Sequence, residues 1–157
     1  MNDAQISLPR IIAPPPVLYI SAFGIGCAID AISPQPIIFS GSIVWVIGAL
    51  LFVISGALAR WAFVTMRQIG TTANPRKQSQ ALSIAGPFAL SRNPIYVAMT
   101  GLYIGAAALL NSWWPVLLLA PLLLLMHWGV VLREERYLLA QFGDAYSVYK
   151  TTVRRWL

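Results

Sequence analysis

Two short polar sequences, SRNPIY and REERY, contain the residue types that could do chemistry. In the first, Arg92 and Asn93 stand directly before Pro94 and a long apolar run. Asparagine is a good N-cap and proline suits the first helical position, so the sequence predicts a helix start from which Arg92 reaches the headgroups. The alternative is that Arg92 and the free amides of this helix start bind a carboxylate or phosphate.

The second sequence, Arg133-Glu134-Glu135-Arg136, stands where a long apolar run meets polar residues. Its acids either lie on a solvated helix face, paired with neighbouring arginines, or one of them turns inward to meet a cationic or hydroxylated ligand. His127 precedes Glu134 by seven residues, which in a regular helix is two turns and the same face. A histidine in a membrane span usually pairs with a polar group, so packing or hydrogen bonding is the simpler role and catalysis is the alternative.

The C-terminal residues contain an aromatic series: Tyr137, Phe142, Tyr146, Tyr149 and Trp156. These side chains form either an interfacial belt or a lid over a cavity. Other familiar motifs are absent from the sequence. There is no Walker loop, no serine-hydrolase elbow and no set of His and Cys with metal-ligand spacing, so no metal site is predicted.

Composition places the chain in a membrane. Of its 157 residues, 58% are hydrophobic and 10% are charged, with a mean hydropathy of +0.69. Charge this sparse cannot cover a soluble domain, so we expect an integral membrane protein of one domain, residues 1–157. The net charge of +6 does not indicate nucleic-acid binding, because the basic residues form no stripe with interleaved aromatics. A single cysteine, Cys27, excludes an internal disulfide.

The apolar runs predict an all-α fold with about four transmembrane helices, at residues 17–32, 37–61, 95–110 and 113–132. The third is short and rich in glycine and alanine, which favours close helix packing. A polar loop at 67–93 contains the turn sequences Asn74-Pro75 and Gly86-Pro87. The tail, 133–157, is predicted to continue the fourth helix to about residue 142 and then to form a short amphipathic helix from Asp144. The first ten residues lack a cleavable signal, so we expect the first span to be retained.

The basic residues indicate the orientation. With four spans, all eleven lysines and arginines fall on one face or at its span ends, and the two short turns have none. These residues are Arg10, Arg60, Arg67, Arg76, Lys77, Arg92, Arg133, Arg136, Lys150, Arg154 and Arg155. By the positive-inside rule this face, with both termini, is cytoplasmic, and we expect a bacterial inner membrane.

Read together, GPFALSRNPIYVAMTG, an apolar hairpin and REERYLLAQFGDAYSVYKTTVRR resemble the isoprenylcysteine carboxyl methyltransferase and phospholipid methyltransferase superfamily, particularly its short bacterial members. The resemblance covers roughly residues 70–156. It implies an S-adenosylmethionine-dependent transferase whose cofactor lies at the cytoplasmic ends of the last two spans, under the tail. Two positions depart from the family pattern: eukaryotic members usually have histidine where this chain has Asn93, and many bacterial relatives have arginine where it has Ala89.

The resemblance and the residue chemistry lead to one hypothesis for the site. The cofactor would be bound by Arg92, Asn93, Tyr96, Gly101, Glu135 and Tyr146. Glu134, Arg133 and His127 are the catalytic candidates, with Glu134 or His127 as a base and Arg133 or Arg136 steering an anionic substrate group. The methyl acceptor would be lipophilic or small: an isoprenylcysteine-like carboxylate, a phospholipid amine or a thiol.

The competing class is a non-enzymatic membrane protein, such as a transporter subunit or assembly factor. A transporter would place acids or broken helices near the midplane of the membrane. Here the polar groups crowd one surface, which favours an active site there. Apart from the bilayer and the methyl acceptor the sequence indicates no partner, and it leaves the oligomeric state open.

Overall fold

The computed structural model describes residues 9–37, 42–71 and 81–157, and all of its regular secondary structure is helical. The predicted turn at Asn74-Pro75, with Arg76 and Lys77, lies outside these residues. Within the described ranges six α-helices follow one another: α1 Pro15–Ile32, α2 Ser42–Gln68, α3 Pro94–Leu109, α4 Trp113–Met126, α5 Leu132–Phe142 and α6 Asp144–Thr152. A 3-10 turn, Gly86–Ala89, precedes α3, and a π turn, His127–Val131, joins α4 to α5.

Three stretches within the described residues are long and apolar enough to cross a membrane: α1, α2 and the continuous helix Trp113–Phe142. The fourth apolar helix, α3, has 16 residues and is about 24 Å long, shorter than a hydrocarbon core of about 30 Å. The outer face of α2 exposes large apolar side chains such as Trp45, Leu50 and Val53. Such a face suits lipid, and the all-helical membrane fold predicted from the sequence is confirmed.

The second span is longer than predicted. The sequence places its end at Trp61, whereas α2 continues to Gln68 and has 27 residues. At about 40 Å this helix exceeds the hydrocarbon core, so its last turns can leave the membrane and expose Arg60 and Arg67. The predicted loop from residue 67 therefore begins as helix.

The two short turns meet at the same end of the bundle. Pro36, after α1, forms an isolated antiparallel bridge with Ser112, between α3 and α4. The amide of Trp113 donates to the carbonyl of Gln35 at 2.9 Å. The ends of α2 and α5 and the start of α3 therefore lie at the other end of the bundle, where most of the basic residues are.

Glycine allows α3 to pack closely on α2. A Cβ added at Gly105 would lie 2.9 Å from the carbonyl oxygen of Gly48 and 2.9 Å from the amide of Phe52. A Cβ at Gly101 would overlap the hydroxyl of Ser55. These contacts confirm the predicted role of the small residues in α3, because only glycine lets the two backbones approach this closely.

The π turn changes the register of the last long helix. Its widened backbone leaves the carbonyl of Gly129 to accept a hydrogen bond from the amide of Ile12 at 3.2 Å. One extra residue in a turn rotates everything after it by about 100° relative to a regular helix. The expectation that His127 and Glu134 share a face is therefore wrong, although the helix does continue to Phe142 as predicted.

Candidate functional site

A cavity of about 780 Å³ lies where the charged ends of the helices meet. One wall is apolar and comes from the start of α1, the last turns of α2 and the first turns of α3. The other wall is polar and aromatic and comes from the start of α3, α5 and α6. The residues that matter most to its chemistry are Arg67, Phe88, Arg92, Asn93, Tyr96, Met99, Glu134, Tyr146 and Tyr149.

Arg92 lines the cavity with an incompletely satisfied guanidinium. Its side chain is 8% exposed, and Nη1 lies 3.0 Å from Oε1 of Glu135. This contact is an ion pair without hydrogen-bond geometry, so Nε and Nη1 are buried without a hydrogen-bond partner among the described residues. Buried donors are nearly always paired, so these two atoms indicate a ligand with acceptor oxygens.

Glu135 is occupied by a second arginine. Nε and Nη2 of Arg155 donate to Oε1 and Oε2 of Glu135 at 2.8 and 2.9 Å, a bidentate fork. These hydrogen bonds raise the pKa of the Arg155 guanidinium above its usual value. The Glu135 carboxylate therefore sits between two cations, and it does not line the large cavity.

Glu134, by contrast, lines the cavity directly. The hydroxyl of Tyr96 donates to its carboxylate and lies 2.8 Å from each oxygen. Tyr96 is in the first turn of α3, and the π turn brings Glu134 round to meet it. Of the described residues that line the cavity, Glu134 is the single acid.

The aromatic residues of α6 cover the polar end of the cavity. Tyr146 is buried beside Tyr149, and the hydroxyl of Tyr149 donates to the carbonyl of Phe88 at 2.6 Å. Burial raises the pKa of Tyr146, and the Glu135 carboxylate adds to this rise while Arg92 opposes it. Burial also raises the pKa of Tyr149. Both rings are therefore neutral at physiological pH and form an aromatic wall rather than anionic ligands.

Residues 153–157, here called the C-terminal strap, cross the start of α3. The amide of Arg92 donates to the carbonyl of Arg154 at 2.9 Å, and Nδ2 of Asn93 donates to the carbonyl of Arg155 at 2.9 Å. Asn93 stands at the N-cap position as predicted, but its side chain caps no helical amide. The reason is that its amide group is used to hold the strap in place.

The structure brings together five of the sequence-predicted site residues around one cavity: Arg92, Asn93, Tyr96, Glu134 and Tyr146. The other four lie elsewhere. Gly101 packs against Ser55 of α2, and Glu135 binds the two arginines behind the cavity wall. His127 packs its ring edge-to-face on Trp128, with the centroids 5.7 Å apart. Arg133 donates to the carbonyl of Arg10.

Sequence reasoning missed two contributions. From the sequence, Arg155 is assigned to membrane topology alone, although a buried acid such as Glu135 requires a cation and the Arg154-Arg155 pair of the tail can supply one. The last turns of α2, which contain Ala59, Phe63 and Met66, line the apolar wall. Ala59 lies in the predicted span, and Phe63 and Met66 lie between that span and the predicted loop, so no local signal marks these residues as part of a site.

The helices and the cavity define a small helical membrane protein whose polar groups converge at one end of an apolar pocket. The sequence profile of the phospholipid methyltransferase family matches residues 43–145, about two thirds of the chain. The chain belongs to this family of methyltransferases. The match spans α2 to the start of α6 and leaves α1, Tyr146 and the strap outside. No curated protein and no solved structure matches the chain.

Proposed function

We propose that the protein transfers a methyl group from S-adenosylmethionine to a lipophilic acceptor at the membrane surface. The observation that carries this proposal is that Arg92 and the carboxylate of Glu134 line the same cavity, opposite an apolar wall. Two nitrogens of the buried Arg92 guanidinium have no hydrogen-bond partner among the described residues. Membership of a methyltransferase family supports the reaction type. The wall formed by α1, α2 and α3 supports an acceptor with an acyl or prenyl chain.

The residues present fit the cofactor. S-adenosylmethionine has a carboxylate, an ammonium, ribose hydroxyls and an adenine, and it supplies an electrophilic methyl group when bound. Nε and Nη1 of Arg92 have no hydrogen-bond partner among the described residues and can donate to the carboxylate. Glu134 offers a negative charge to the ammonium or to the acceptor, and Tyr146, Tyr149 and Phe88 supply an aromatic wall. A cavity of about 780 Å³ is within the usual size range for small-molecule sites.

The chain would act mainly by orienting the reactants and excluding water. Glu134 is held by Tyr96, so its carboxylate has a fixed position at the cavity surface. A carboxylate acceptor is already ionised, whereas an amine or thiol must lose a proton, and Glu134 is the candidate that lies in the cavity to take it. Because the family is described by phospholipid methyl transfer, a phospholipid amine is the acceptor to test first.

We also propose that the cavity opens toward the cytoplasm at a bacterial inner membrane. The basic residues gather at the end of the bundle where the cavity lies, and the short turns at the other end have none. The positive-inside rule supports this orientation.

Binding of S-adenosylhomocysteine tests the cofactor assignment. We expect the purified full-length protein in detergent to bind it in isothermal titration calorimetry. Arg92→Gln should weaken binding by about tenfold or more because the ligand carboxylate loses a charged donor. Arg60→Gln is the matched control, because Arg60 is an exposed arginine of α2 outside the cavity. No binding by the wild type at millimolar ligand would exclude the cofactor.

Methyl transfer itself is tested with labelled S-adenosylmethionine and a total membrane extract, followed by separation of lipid, protein and volatile products. Label in the lipid fraction, lost in Glu134→Gln, is the expected result. Label in the protein fraction would point to a prenylcysteine carboxylate, and volatile label to a small thiol. Absence of label from all three fractions would contradict the enzymatic function.

A further inference from the structure

We propose that Arg155, in the C-terminal strap, is a positioning residue that keeps Arg92 available for the carboxylate of the cofactor. This inference rests on the proposed function, because it assigns a ligand carboxylate to Arg92. Arg155 lies ten residues beyond the part of the chain that the family profile matches.

The first argument is the geometry around Glu135. Arg155 uses both carboxylate oxygens of Glu135 in one fork, at 2.8 and 2.9 Å. Arg92 approaches the same carboxylate to 3.0 Å without forming a hydrogen bond. Arg155 therefore occupies one lone-pair site on each oxygen of the carboxylate. Without Arg155, Glu135 is the nearest available acceptor and would satisfy Arg92 itself.

The second argument is charge. Arg92, Arg155 and Glu135 together have a net charge of +1, which a ligand carboxylate would neutralise. Removal of Arg155 leaves Arg92 and Glu135 as a neutral pair, and an incoming carboxylate would then compete with Glu135 for one guanidinium. The ligand carboxylate and the Glu135 carboxylate would also repel each other, and like charges repel strongly at a buried site. Arg155 thus separates the two roles of Arg92, as partner of Glu135 and as ligand donor.

The third argument is the way the strap is held. The carbonyl of Arg155 accepts hydrogen bonds from Asn93 at 2.9 Å and from the hydroxyl of Ser91 at 3.3 Å. These contacts are to the backbone of Arg155 and are independent of its guanidinium. A change confined to the side chain therefore leaves the attachments of the strap to the start of α3 in place.

The test compares two ligands that differ in the part that Arg92 would bind. S-adenosylhomocysteine has the amino-acid carboxylate, whereas 5′-methylthioadenosine has the adenosine and sulfur without it. In calorimetry of the full-length protein, Arg155→Ala should weaken S-adenosylhomocysteine by roughly tenfold to a hundredfold and leave 5′-methylthioadenosine unchanged. Arg154→Ala is the matched control, since Arg154 is the neighbouring strap arginine and its side chain is exposed.

A second variant separates positioning from damage to the fold. The double variant Arg155→Ala/Glu135→Ala removes Glu135, which competes with the ligand carboxylate for Arg92, together with Arg155, which engages Glu135. It should bind S-adenosylhomocysteine more tightly than Arg155→Ala alone, a non-additive result that a purely structural role does not produce. Arg155→Lys keeps the charge but loses the fork, so we expect an affinity between wild type and Arg155→Ala.

The outcomes that overturn the inference are distinct from failure of the proposed function. If the wild type binds S-adenosylhomocysteine but Arg155→Ala binds it equally well, Arg155 has no positioning role. If Arg155→Ala loses both ligands to the same extent, or the double variant recovers nothing, Arg155 acts through the fold and not through Arg92. If the wild type binds neither ligand, the cofactor assignment fails and the role of Arg155 fails with it.

Discussion

The adjacent residues Glu134 and Glu135 are expected to respond differently to the same substitution. Among the described residues, Glu135 has the one carboxylate that contacts the buried guanidinium of Arg92, and Glu135→Gln removes its charge. Breaking a buried ion pair by removing one partner costs about 3–5 kcal/mol. The lower end applies, because glutamine keeps one acceptor oxygen and the Arg155 side chain is 29% exposed. Glu134→Gln keeps both the shape and an acceptor for Tyr96, so it costs about 1 kcal/mol.

Thermal unfolding measures the difference. A loss of about 3 kcal/mol lowers the Tm by roughly 6–12 °C in a chain of this size, and about 1 kcal/mol lowers it by roughly 2–4 °C. Cys27 is the one cysteine of the chain and lies half-buried in α1. A fluorogenic maleimide that reacts with this thiol as the helices separate therefore reports unfolding in detergent.

The variant with the smaller loss of stability, Glu134→Gln, is expected to lose methyl transfer. Glu134→Gln is expected to abolish methyl transfer in a protein that remains close to wild-type stability, because it removes the charge in the cavity. The reasoning is refuted if Glu134→Gln lowers the Tm as much as Glu135→Gln does, or if Glu135→Gln unfolds within about 2 °C of wild type, less than the shift expected from 1 kcal/mol.

Three further predictions concern packing, pH and the strap. Gly105→Ala should lower the Tm by several degrees, since overpacking against backbone costs about 1–3 kcal/mol, whereas Gly56→Ala, with open space around it, should leave it unchanged or raise it. Burial raises the pKa of Tyr149, so the contribution of this residue to the free energy of unfolding is complete below the unfolded pKa of about 10 and is lost as pH rises above it. In Tyr149→Phe the loss of stability measured by unfolding between about pH 9 and 11 should therefore be shallower than in the wild type. An identical slope in the two proteins would contradict this assignment. Asn93→Ala should speed proteolysis of the C-terminus by freeing the strap, and Asn93→Asp, which cannot donate to a carbonyl, should do the same; unchanged cleavage in both would remove Asn93 from this role.

The membrane class, the number of apolar helices and the gathering of the polar groups at one end of the bundle could all be predicted from the sequence. Each of these depends on local or additive properties: hydropathy over a span, the position of charges relative to spans, and the turn residues at Pro94 and Gly143. The stop before α6 is one example, since Gly143 has a φ of +52° that favours glycine. The glycines of α3 likewise predicted its close packing.

Which of the predicted residues face one another depends instead on how the helices pack. The π turn at residues 127–131 rotates Glu134 into the cavity and separates it from His127, a change in register that residue spacing does not encode. Pairing across the chain decided the rest: Glu135 is engaged by Arg155, twenty residues later, and Asn93 holds the strap instead of its own helix. A charged residue's role depends on which partners reach it, and those partners are brought together only when the helices pack.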